Sequence, residues 1–105
     1  VHPMRISVIL AAAVAGSISS SAMAEGRVTD TEFLRASRCK GLAEGLSSDS
    51  AAIDAFLKTE GRSRDPFIIQ RGEELTAKAR REAKRSDHAA KASEELAGAC
   101  QAYKG

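Results

Sequence analysis

Two cysteines, Cys39 and Cys100, are the residues best placed by type to do covalent chemistry. Neither has a second cysteine two positions away, so the C-x-x-C arrangement that runs thiol–disulfide exchange is missing. In an oxidising compartment an isolated pair reads as one structural disulfide. Pairing between chains and a pair of reactive thiols are the other readings. Closing a loop of about 60 residues would stabilise the fold by about 4 kcal/mol on the chain-entropy account. The reduced protein is therefore expected to be markedly less stable.

The second concentration of chemistry is electrostatic. Lys78, Arg80, Arg81, Lys84 and Arg85 place five cations against the single acid Glu82 within eight residues. Such a run reads either as a candidate interaction face for anionic lipid, a polyanion or an acidic partner, or as a solvated helix face. It has no Trp or Leu face for a membrane surface and no interleaved aromatics for single-stranded nucleic acid. Arg62, Arg64 and Arg71 flank Asp65-Pro66, a cap where a helix N-terminus would attract an anion. They form a candidate anion site, with a loop salt bridge to Asp65 or Glu60 as the competing reading.

His88 stands beside Asp87 with no Cys or carboxylate cluster around it, which makes it an exposed bystander rather than a metal ligand. Glu73-Glu74 and Glu94-Glu95 are neighbours on helices and point about 100° apart, so neither is an acid/base dyad. The chain has no G-x-S-x-G elbow, phosphate-binding glycine loop, H-E-x-x-H or C-x-x-C-H. These readings predict no enzyme, no metal and no cofactor.

The elements that must position these groups are helical. Alternating β-branched runs and Asn-Gly turns are missing, so strands are not expected. Thr29 to Glu32 fits a capping box, with the Thr29 hydroxyl reaching the Glu32 amide and Val28 and Phe33 forming a hydrophobic staple. A first helix then runs from about Asp30 to Leu46. Gly41 and Gly45 either weaken its last turns or admit another helix at close range. Ser47 to Ser50 is a turn, a second helix covers Ala51 to Glu60, and Gly61 stops it. Asp65-Pro66 caps and opens a third helix.

From Thr76 to Glu95 no large apolar residue occurs. A 3.5-residue step through Ile68, Gly72, Leu75, Ala79, Glu82 and onward to Cys100 and Tyr103 permits one long helix. Glu74–Lys78 and Asp87–Lys91 pairs would support it. Ser86-Asp87 can instead cap a separate last helix. The break is preferred, because a short bundle returns Cys100 to Cys39 while Leu96 and Tyr103 pack on the first helix. The expected fold is all-α: a small three- to four-helix bundle stapled by one disulfide.

The compartment is read from the first 24 residues. Met4-Arg5 begins a positive segment, Ile6 to Gly16 is an apolar run of about a dozen residues, and Ser17 to Ala24 ends in Ala22-Met23-Ala24. That is the layout of a signal peptide cleaved after Ala24, with Val1 to Pro3 as an upstream mis-start. A spanning helix needs roughly 20 apolar residues, so stable membrane insertion after cleavage is not expected. Residues 25–105 then form a single helical domain carrying all 14 acids and 15 of the 16 basic residues. That near-balance argues against bulk nucleic-acid binding. A core this small rarely supplies more than about 3–5 kcal/mol, which is why a covalent staple is expected.

Ala36 to Ala43 (ASRCKGLA) and Ala97 to Tyr103 (AGACQAY) resemble small exported two-cysteine helical proteins of α-proteobacteria, of the Brucella and rhizobial type. The resemblance implies a periplasmic helical protein serving stress survival or life inside a host, and it carries no catalytic residues. In plan the chain is also similar to the small acid-stress chaperones of the enterobacterial periplasm, which are exported, helical and closed by one disulfide. Its cysteines are farther apart, and Ser37-Arg38 stand where that family has an aromatic residue. The expected function is non-enzymatic action through protein contacts, in envelope or acid stress or host adaptation, as a monomer or weak homodimer. The alternatives are a specific binder or inhibitor of one envelope or host partner through the 78–85 face, and a peripheral protein on anionic membrane.

Overall fold

A computed structural model describes residues 27–104. The expected signal peptide, the first two residues of the expected domain and Gly105 lie outside the described residues. Four α-helices and a terminal 3₁₀ turn make an all-α bundle, closed by a Cys39–Cys100 disulfide. There is no strand among the described residues.

Helix α1 spans Asp30–Gly45, and the Glu32 N–H donates to the Thr29 hydroxyl at 3.2 Å as the capping pattern predicts. It ends through Ser47, whose φ of 58° lies in the left-handed region, while the Ser48 N–H reaches back to the Ala43 carbonyl. Helix α2 covers Ala51–Gly61 and is opened by Asp49, which accepts from the Ala51 N–H at 3.0 Å. Helix α3 covers Pro66–Lys84, with Asp65 accepting from the Phe67 N–H and Pro66 in the first turn, again as the sequence predicts.

The chain does break before the last helix, but Ser86-Asp87 is not the cap. Arg85 turns extended, the Ala89 N–H donates to the Arg85 carbonyl, and α4 (Ala89–Ala97) starts from His88 with no side-chain cap. Gly98 then ends α4, and Ala99–Tyr103 continues as a 3₁₀ turn rather than as α-helix. Three residues per turn set Cys100 and Tyr103 in line, so both reach the core.

The central contact joins α1 to α3. Gly72 meets Ser37 and Phe33, Gly41 meets Thr76 and Ala79, and Gly45 meets Arg80 and Ala83. The numbers rise together, so the two helices run parallel, with α2 carrying the chain back. A β-carbon on Gly41 would stand 2.8 Å from the Ala79 Cβ and nearer still to the Thr76 carbonyl oxygen. One on Gly45 would stand 2.6 Å from the Arg80 carbonyl oxygen. Of the two roles open to these glycines, close approach is the one the fold uses. The Thr76 hydroxyl, at 2.8 Å from the Ser37 carbonyl and 3.0 Å from that of Gly72, ties the seam.

The remaining core gathers at one side of this seam. Leu42, Ile53, Leu96 and Tyr103 pack around the disulfide with Ala36, Ala43, Ala79, Ala83 and Ala92, flanked by Leu46, Phe56 and Leu57. The Phe56 and Tyr103 rings lie 5.3 Å apart. Phe67, part of the apolar start of α3, is 70% exposed instead.

Helix propensity alone favours alanine over glycine by about 1 kcal/mol. Here Gly41→Ala is expected to destabilise by about 2–3 kcal/mol, because the methyl group meets backbone that cannot step aside. Gly61→Ala meets the flexible Ile69 tip at 3.3 Å and the Phe33 ring at an ordinary contact distance of 3.7 Å and is expected to be near neutral; urea unfolding of both variants checks the contrast. Opening Cys39–Cys100 is expected to cost about 4 kcal/mol, and equal melting temperatures with and without reductant would remove that role.

Candidate functional site

On α3 the buried residues are Gly72, Ala79 and Ala83. Counting 100° per residue, Lys78, Arg81 and Arg85 fall on the opposite side and are exposed. Arg80 and Glu82 fall on the two flanks, and each is engaged there. Arg80 donates to Glu44 of α1 at 2.6 Å, and Glu82 accepts from Arg38 at 2.9 Å. The five-residue cationic run therefore divides. Arg80 is a brace between α1 and α3, and four cations face outward.

Among those four, Arg85 shares Asp87 at 3.1 Å. Lys78, Arg81 and Lys84 have no carboxylate within 4 Å among the described residues. Lys78, Arg81, Glu82, Arg85 and His88 line an open depression of about 480 Å³. The expected Glu74–Lys78 pair is replaced by Arg71–Glu74 at 3.4 Å. The expected Asp87–Lys91 pair does not form, because the break at Arg85 leaves Asp87 in the turn beside Arg85 and His88.

The candidate anion site around Arg62, Arg64 and Arg71 does not assemble. Arg64 spends its guanidinium inside the fold, on Asp30 at 2.8 Å, the Val28 carbonyl at 2.6 Å and Glu60 at 3.3 Å, with its Cζ 5.4 Å from the Phe33 ring centre. The depression beside it is lined by Asp30, Glu60 and Asp65 together with Arg27, so carboxylates already supply its anions. Arg71 lines a different depression with Phe67, Gln70 and Glu74, and Arg62 is exposed and lines neither. The loop salt bridge to Glu60 is what forms.

Sequence reading missed Arg38. It reaches Glu82 of α3 at 2.9 Å and Glu95 of α4 through two bonds of 2.8 and 3.0 Å, so one guanidinium fastens three helices. Its partners lie 44 and 57 residues away, outside any local pairing rule; only the helix break brings them together. Hydrogen bonding to Glu95, then to Glu82, raises the Arg38 pKa further, and the bond from Arg38 pulls Glu82 below the ordinary glutamate value.

A cavity of about 620 Å³ forms an open groove between α1, α2 and α3, floored by Phe33, Ser37 and Gly72. Four of its charged lining residues are paired, Lys40 to Asp54 at 3.4 Å and Arg80 to Glu44, while Lys58 and Glu73 also line it. One Asp54 oxygen is buried without a hydrogen bond by strict geometry, and the nearby Lys40 ammonium neutralises it. Among the described residues no group of three or more His, Cys, Asp or Glu residues is arranged to hold a metal, and no helix is long and apolar enough to cross a membrane. Cys39 and Cys100 are both in the disulfide and at most 1% exposed, which withdraws them from thiol chemistry.

Comparison with protein-family models, with curated proteins and with solved structures gives no match to the chain. The functional reading therefore rests on the surface itself.

Glu82 sits lower in the folded state than in the unfolded chain, so its contribution is present above its ordinary value of 4.5 and lost as pH falls through the folded value. Arg38→Met is expected to cost about 1–2 kcal/mol at neutral pH, a partly exposed charge network being worth little more. The gap between variant and parent should close in strong acid. A gap that stays constant from neutral pH to about pH 3 would mean that Arg38 acts by packing alone.

Proposed function

We propose that this chain is a non-enzymatic, exported helical protein of the bacterial periplasm that works by binding another protein, with the outer face of α3 as the contact surface. The observation that supports this reading is the division within the cationic run. Arg80 is consumed by the fold, whereas Lys78, Arg81 and Lys84 are ordered on a rigid helix and left without carboxylate partners. Cations with no structural employment are available for a partner, and rim charges of this kind mainly set association rate and choice of partner. A disulfide suits an oxidising compartment, and the resemblance to small exported α-proteobacterial proteins suits a role in envelope stress or host adaptation. The same face on an anionic membrane is less well supported. Its cations have no apolar or aromatic neighbours to insert.

A second reading is favoured by one observation, the fastening of α4 through carboxylates on Arg38. Protonation releases that fastening while the disulfide keeps the chain closed, as an acid-stress chaperone requires. Its signature is suppression of client aggregation at about pH 3 that survives charge reversal on α3.

The contact reading is tested with a photo-crosslinking residue in place of Arg81, and as control in place of exposed Thr59 on α2. In the periplasm of an expressing bacterium, position 81 is expected to yield a discrete protein adduct that Lys84→Glu with Arg85→Glu abolishes. Position 59 should yield none. Absence of an adduct at 81, or one indifferent to the charge reversal, would overturn the assignment.

A further inference from the structure

We infer that the cationic face of α3 continues across the bend at Arg85 onto α4, and that the trough so formed binds an acidic polypeptide segment of the partner. This rests on the contact reading above and adds to it a second helix and a ligand class.

The depression lined by Lys78, Arg81, Glu82, Arg85 and His88 borders a second one, lined by Arg38, Glu82, His88, Lys91, Ala92 and Glu95. Glu82 and His88 line both, so the two depressions adjoin across these residues. Lys91 is exposed and, like Lys78 and Arg81, has no carboxylate within 4 Å among the described residues. The two acids that line the trough, and Asp87 in the turn beside it, are already held. Glu82 and Glu95 are both on Arg38, and Asp87 is on Arg85 and near His88 at 3.6 Å. Arg38 thus does two things at once. It fastens α4, and by engaging two carboxylates it leaves the trough walls with cations to spare.

The shape and the retained acids select the ligand. The trough is concave, whereas a bilayer presents a flat surface. Among the described residues its only apolar lining residue is Ala92, which offers neither a wedge for lipid nor a plane on which bases stack. A densely charged polymer such as polyphosphate would press its charges on Glu82 and Glu95, which line the trough. An extended polypeptide carries side chains alternately to opposite sides, so its carboxylates are spaced, and its backbone supplies N–H donors between them. Glu82 Oε2 accepts no hydrogen bond among the described residues and is free to take one. Carboxylates of the segment then meet Arg81, Arg85, Lys78 and Lys91, the guanidinium groups by paired N–H···O bonds.

The experiment measures binding of a labelled short peptide of alternating Glu and Gly to the disulfide-intact protein. Inorganic polyphosphate, phosphatidylglycerol vesicles and oligothymidylate serve as competing probes. The peptide is expected to bind, to weaken with added salt, and to lose at least tenfold in affinity with Arg81→Glu and with Lys91→Glu. Lys58→Glu on α2 is expected to leave binding unchanged. Lys91 is exposed, so its variant should fold; an unchanged melting temperature confirms that a loss is local. A loss at Arg81 with none at Lys91 overturns the extension onto α4 while leaving the α3 contact standing. Polyphosphate, vesicles or oligothymidylate binding more tightly than the peptide overturns the ligand class. A missing adduct at position 81 in the crosslinking experiment would instead remove the contact reading itself.

Discussion

The close approach of α1 and α3 is the constraint from which the rest follows. At Gly41 and Gly45 the helix backbones meet without intervening large side chains, and Gly72 makes room for Ser37 and the Phe33 ring. That contact draws little on hydrophobic area and much on dense packing, where each atom pair contributes little and the number of pairs is large. It also explains a composition that looks unable to fold. From Thr76 onward α3 carries alanines and charges because its inward face has no room for anything larger than Ala79 and Ala83. Volume for a conventional core must come from elsewhere, and Ile53, Phe56 and Leu57 of α2 with Leu96 and Tyr103 supply it. The disulfide lies where these two kinds of packing meet and fixes the last element, which is too short to hold itself.

The seam has an electrostatic consequence. Parallel helices side by side bring their C-terminal carbonyl ends together, which aligned dipoles resist. Helix α1 has no basic residue in its last turn, and Arg80 of α3 reaches back to Glu44 near the end of α1. Part of the cationic run therefore serves the fold. The functional reading concerns the remainder, and Arg80 is the residue that separates the two uses, since it is the member of the run with a buried-side partner.

The elements were legible in the sequence because their punctuation is local. Thr29 and Asp65-Pro66 mark ends through capping hydrogen bonds and ring geometry that involve neighbours only, whereas Gly61 is the last residue of α2 and not a left-handed stop, the chain staying right-handed through Arg62. The disulfide was legible because two cysteines leave one intramolecular choice. What was not legible needed the tertiary arrangement first. Arg38 has no acid within helical reach that it uses, and its partners become neighbours only after α4 folds back. The arginines around Asp65 looked like an anion site for the converse reason: sequence places Arg64 beside Arg62 but conceals Asp30, which α1 brings to it. The cap of α4 was misplaced at Ser86-Asp87 because extended Arg85 shifts the helix start to His88, and Asp87 becomes a partner for Arg85 instead.

Fold and candidate site are separable in this molecule to an unusual degree. Apart from Arg80, braced on Glu44, the seam uses residues without charge, and the outward cations hold no ion pair across it. Substitutions at Lys78, Arg81, Lys84 or Lys91 remove no buried contact and break no ion pair seen among the described residues. Arg38 is the exception, because it joins the helices and also occupies the acids of the trough. Changing Arg38 would therefore lower stability and cationic character together, and the two effects would be confounded. Charge reversal on the exposed lysines and arginines isolates the second. A protein that has so few apolar residues to spare would be expected to keep recognition off its core, and placing it on charges along a helix held rigid by the seam achieves that. The cost is affinity: exposed charges give little binding energy singly, so the bend that adds Lys91 to the α3 face matters more here than it would on a surface rich in aromatic anchors.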